Sequence, residues 1–127
     1  MSIPYMLGSI FTPNRDRAKI IGIFVHILNG WIFSLVYVVA FHATGLFAWW
    51  FGAAIGLVHG GFVLTVAMPA MPGMHPRMAS EIGVPTAARQ LEPPGFLARN
   101  YGIRTPISAL VSHVVFGIIL GVFYTPG

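Results

Sequence analysis

The sequence contains no cysteine and very little charge. Without cysteine, disulfides and thiolate-bound metals are excluded. Charged residues make up 8% of the 127 positions, where a soluble domain usually carries about 25%. A chain of this composition cannot cover its own surface with charge, so lipid is the expected solvent. Acids are scarcest: Asp16, Glu81 and Glu92 are the only three, and all fall in polar segments. No carboxylate is therefore available inside an apolar run as a general base. HExxH, a nucleophile–base pair, a phosphate loop and a dinucleotide fingerprint are also missing. These absences lean against an enzyme, and against a hydrolytic metal enzyme in particular. The first twelve residues lack a basic start and a small-residue cleavage site, so no cleavable signal peptide is expected.

What the chain does have is apolar: 56% of its residues are hydrophobic. Crossing the hydrocarbon takes roughly 20 apolar residues in a helix. Three runs qualify, predicting helices over about 13–42, 45–68 and 105–124. Thr12-Pro13 and Thr105-Pro106 each place a hydroxyl at an N-cap and a proline at the first helical position. The few residues 42–45 between the first two runs require a tight antiparallel hairpin. The length allows one compact unit, residues 1–127. A short N-terminal segment, IPYMLGSIF, cannot span and is expected in the membrane interface.

Charge then sets orientation. The net charge of +4 points less to nucleic acid than to lipid, because the basic residues flank apolar runs. Arg15, Arg17 and Lys19 precede the first run, and Arg77, Arg89, Arg99 and Arg104 lie between the second and third. The hairpin tip and the C-terminus carry none. The positive-inside rule places the N-terminus and the loop 69–104 in the cytoplasm and the C-terminus outside. That loop is rich in proline and glycine and long enough to be a functional feature. Phe96, Leu97 and Tyr101 are expected to pack part of it back onto the membrane face. Arg89 and Glu92 pair if their segment is helical, and Pro93-Pro94-Gly95 breaks any helix. Asn100-Tyr101-Gly102 turns the chain into the third run; Arg99 and Asn100 are the other loop residues of interest.

Small residues recur every four positions in each run, and residues four apart share a helix face. Gly22, His26, Gly30 and Ser34 form one stripe. Gly52, Gly56 and Gly60 form the second, with His59 beside it. Ala109, His113, Gly117 and Gly121 form the third. Such faces let helix backbones approach closely in lipid, so the three are expected to meet. Counting from the cytoplasmic ends puts His26, His59 and His113 at a common depth, with Asn29 nearby. The first and third runs also share HxxxGxxx[SG]xxY, a candidate parallel repeat.

These histidines admit two readings. Each imidazole makes an interhelical hydrogen bond to a hydroxyl or carbonyl, with Ser34, Thr65 and Ser112 as candidate partners. Alternatively the three form an intramembrane site for a proton or ion, a metal or a haem, since ionisable groups at membrane depth are functional candidates and imidazole is a common metal ligand. No cofactor is the favoured reading, with metal or haem as the alternative. Met68, Met71, Met74, His75 and Met78 offer soft ligands, but flexible apolar packing accounts for the methionines. Trp49-Trp50 fits an interface anchor.

The motifs IPYMLGSIFTPNRDRAK, HPRMASE, RQLEPPGF and NYGxxTP resemble an uncharacterised family of small bacterial integral membrane proteins. The resemblance covers nearly the whole chain. It implies a bacterial inner-membrane location and a defined loop, but no activity. In similar proteins a further hydrophobic segment often precedes IPYMLG. Together these readings predict an all-α protein with three transmembrane helices. It serves as a helix-packing accessory subunit of a homo-oligomer or of a larger complex with other membrane subunits.

Overall fold

A computed structural model describes residues 2–80 and 85–126; Glu81 and the end of the HPRMASE motif lie outside them. Five α-helices form among the described residues: α1 (Ile3–Gly8), α2 (Arg15–Thr44), α3 (Trp49–Phe62), α4 (Met68–Met74) and α5 (Thr105–Phe123). No strand forms among the described residues; one isolated parallel bridge joins Met78 and Leu91. Three helical runs are long and apolar enough to cross a membrane: α2, the continuous run Trp49–Met74, and α5.

The start of each helix has a local cause, and two differ from the sequence expectation. The α2 N-cap is Asn14, whose side chain accepts from the Arg17 N–H. Thr12 instead accepts from the Asn14 N–H, one step earlier in the turn. Helix α5 begins at Thr105 itself, with Arg104 at the cap position and no side-chain cap bond. Pro106 still occupies the first turn, where its missing N–H leaves no bond unmade. Gly45 ends α2 at φ 71°, a left-handed cap that glycine adopts without a Cβ clash.

The second run extends to Met74, past the expected end at 68. Pro69 and Pro72 read as breakers, yet the helix passes through both. Pro69 has no N–H to give, and the ladder shifts by one residue just before it. A π turn over Val63–Ala67 results, with the Met68 N–H reaching the Val63 carbonyl. The Thr65 hydroxyl bonds the Gly61 carbonyl beside it, 2.7 Å away.

Helices α3 and α5 pack antiparallel and very close. A Cβ on Gly52 would strike the Gly117 carbonyl, and one on Gly117 would strike that of Gly52. Gly56 meets the backbone of His113, Gly60 meets the Leu110 and His113 side chains, and Gly121 meets the Ala48 carbonyl. The α2 stripe does not join them. Gly22 faces the Pro4 backbone of α1, and Gly30 has nothing within 4 Å. Helix α2 instead leans on the α3–α5 pair through aromatic rings: Phe33 stacks on His59, Tyr37 meets Phe116, and Phe41 meets Phe51 and Tyr124. Rings need more room than glycine backbones, so this interface is wider.

At the opposite end the short α1 fills the gap. Gly8 and Gly22 let it lie on α2, and Met6 enters a core with Leu64, Met68, Met71, Met78 and Ala98. The loop closes that core. Leu97 and Tyr101 pack against it, whereas Phe96 is exposed. Residues Phe96–Tyr101 form a 3₁₀ segment in which Leu97 (φ 59°) and Ala98 (φ 53°) adopt left-handed conformations, a strained arrangement for residues with a Cβ.

Candidate functional site

The structure brings together two of the three membrane histidines. His59 on α3 and His113 on α5 meet edge to face, with ring centroids 4.6 Å apart. His26 and Asn29 are exposed on α2, and their side chains make no hydrogen bond among the described residues. The reason is register. His59 sits against Phe33 and Tyr37, about 10–16 Å further along α2 than His26 at 1.5 Å per residue. The common-depth count ended the second run at 68, but the helix continues for six more residues. The pair lies about 15 Å from the Trp49 and Phe123 ends of its helices, nearer the middle of the bundle than its loop end.

Neither ring uses the hydroxyls expected of it. Ser34, Thr65 and Ser112 all bond carbonyls of their own helices. His113 Nδ1 lies 2.6 Å from the Ala109 carbonyl oxygen. A carbonyl only accepts, so Nδ1 carries the proton and Nε2 keeps its lone pair. His59 Nδ1 lies 2.8 Å from the Tyr37 hydroxyl, and this bond crosses from α2 to α3. Tyr37 is 1% exposed, inside the bundle. The sequence signal for it was the HxxxGxxx[SG]xxY pattern. Both of its tyrosines bond a histidine from another helix, since Tyr124 pairs with His42 at 2.7 Å. The described residues contain no group of three or more His, Cys, Asp or Glu able to hold a metal.

A second polar centre lies where α1, α4 and the loop converge. His75 follows α4 and is fully buried. Its Nδ1 accepts from the Arg77 N–H at 3.1 Å. Nε2 therefore carries the proton and shares it between the Met6 carbonyl at 3.0 Å and Ser9 Oγ at 2.9 Å. Burial holds the His75 pKa below 6.5; the Met6 bond opposes this, and the charges of Arg77 and Arg89 reinforce it. Arg77 Nη1 grips the Ser9 and Ile10 carbonyls at 2.8 and 3.1 Å. Arg89 Nη1 reaches the carbonyls of Pro72, His75 and Met78. The Arg89 segment is not helical, and Arg89 caps the end of α4 instead of pairing with Glu92. Tyr101 donates to the Glu92 carbonyl at 2.8 Å, and burial, aided by the Glu92 charge, pushes its phenol up to about 12. Met68, Met71 and Met78 serve the apolar core beside these groups, and Met74 is exposed.

Comparison with known proteins gives no family model, curated protein or solved structure that matches this chain.

Proposed function

We propose that this chain is a helix-packing accessory subunit of a bacterial inner-membrane assembly, either a homo-oligomer or a larger complex. The N-terminus and the loop 75–104 face the cytoplasm, and the C-terminus lies outside. The one-sided placement of every Lys and Arg supports the orientation. The observation that carries the reading is the free face of α2. His26 and Asn29 are exposed there, in the stripe interval between Gly22 and Gly30, and Gly30 has nothing within 4 Å. Polar side chains facing hydrocarbon are costly, and a backbone-bare glycine invites a neighbouring helix. A second helix laid along this face covers both.

The chain lacks cysteine, so a single Ser34→Cys variant gives a clean cross-linking probe on that stripe. Mild oxidation in native membranes should yield a covalent dimer for the homo-oligomer. In a hetero-complex, a bifunctional thiol–amine reagent should give an adduct with another membrane protein. A chain that stays monomeric under both reagents refutes the subunit reading.

One observation favours a second reading. The open Nε2 lone pair of His113 stands beside His59 in the bundle interior. Two imidazoles and the Tyr37 hydroxyl would suit a proton or ion site, or part of a metal or haem site. Metal analysis and a visible spectrum of the purified protein distinguish this from a packing role.

A further inference from the structure

Arg77 and Arg89 flank the buried His75, and every recorded bond of their guanidinium groups ends on a neutral carbonyl oxygen. Neither has a further partner among the described residues. Among the described residues, the two cations are thus built into the fold without a counter-charge. Arg77 is half-buried, so water offsets its charge only in part. Its Nη1 is spent on the Ser9 and Ile10 carbonyls, which fixes the guanidinium plane and leaves the Nε and Nη2 donors unspent.

Those donors belong to a side chain that lines an open cavity of about 400 Å³, together with Tyr5, Ser9, Ala88 and Gln90. No acid lines it. Arg15 lies next to one wall residue, its guanidinium 5.2 Å from the centre of the Tyr5 ring. The level matters as well. About 20 residues of helix cross the hydrocarbon; counted from Trp49, that length is used up near 69. Arg77 lies beyond it, after the end of α4. Arg15, the first residue of α2, precedes the apolar run of that helix. The cavity therefore sits at headgroup depth, with a fixed arginine in its wall.

We propose that this cavity binds a phosphate oxyanion, supplied by the headgroup of an anionic phospholipid. Arg77 provides a fixed pair of charge-assisted donors, Arg15 adds long-range attraction, and Gln90 supplies an amide. A phosphate suits an arginine fork better than a carboxylate-poor pocket suits any cation. The inference needs the membrane setting but not the partner helix on α2.

The test uses the full chain in mild detergent, with native mass spectrometry to count retained phosphatidylglycerol against phosphatidylcholine. Phosphatidylglycerol should be held at least tenfold more strongly. Arg77→Gln should reduce this preference by about tenfold, as expected for a charge-assisted pair. Because Arg77 also holds the α1–α2 turn, Ala88→Asp is the decisive variant: it places a carboxylate in the cavity from an exposed loop position. It should abolish the preference with the thermal unfolding temperature unchanged. Titration with inorganic phosphate alone separates the sources. Saturable binding that Ala88→Asp removes assigns the site to soluble phosphate chemistry, whereas phosphatidylglycerol retention without it assigns the site to lipid. Equal retention of both lipids, or an undiminished preference in Ala88→Asp, overturns the proposal.

Discussion

His75 illustrates how one residue can carry a pH response by being kept neutral. In the folded chain its pKa lies below 6.5, so the folded state binds fewer protons than the unfolded state as pH falls through 6.5. Its contribution to stability is whole above that value and is lost as pH drops toward the folded pKa. The slope is at most about 1.4 kcal/mol per pH unit for one proton. Thermal unfolding in detergent between pH 7.5 and 5 should show the loss. His75→Gln should be less stable at pH 7.5 and should lack this part of the slope; the same slope in both proteins contradicts the assignment. Little of this was readable in the sequence, where His75 stood among methionines as a soft-ligand candidate. Its real partners, Ser9 and Met6, are more than sixty residues away. No local pattern encodes such a contact. Tyr37 was similar: the repeat motif marked it, but which histidine it meets depends on where α3 ends.

At the scale of single helices, the glycine stripes were the most legible feature, and the α3–α5 interface is the one that uses them fully. A Cβ on Gly56 runs into the His113 carbonyl, whereas Gly61, on the same helix, has nothing within 4 Å. Gly56→Ala should therefore cost about 1–3 kcal/mol through overpacking. Gly61→Ala should be neutral or add up to about 1 kcal/mol from helix propensity. Unfolding in mixed detergent micelles reads both; equal effects would mean the two helices are not in backbone contact. The stripe on α2 looked the same in sequence but does different work. Gly22 serves α1, and aromatic rings further along α2 hold it to the other helices. A small-residue stripe announces a close approach, not which neighbour makes it. Helix ends were read less well. The sequence ends the second helix at 68, where the proline-rich segment begins, because a π turn that absorbs a proline leaves no compositional mark.

For the molecule as a whole, the proposed orientation follows from the charge count alone, and the cysteine-free background makes it simple to check. A cysteine at Ala87, exposed in the loop, should react with a membrane-impermeant maleimide only after cells are opened. A cysteine at Pro126 should react in intact cells. The reverse pattern inverts the topology and takes the inner-leaflet placement of the phosphate cavity with it. Three apolar runs made the three long helices readable, because a membrane crossing sets a length rule for every span. The loop obeys no such rule. Its fold rests on arginine bonds to carbonyls and on left-handed backbone at Leu97 and Ala98, which sequence patterns do not record.

The 30 residues of α2 and the 19 of α5 make rods of about 45 and 28 Å, set against a hydrocarbon layer of about 30 Å. In the proposed membrane setting the apolar part of α2, residues 20–41, is about 33 Å long and fits that layer, while its charged first turns, Arg15 to Lys19, stand proud of it beside the loop. Helix α5 has no such extension, so the two sides of the bundle would set different limits on the layer, and acyl-chain length becomes a variable to which the protein would respond unevenly around its perimeter.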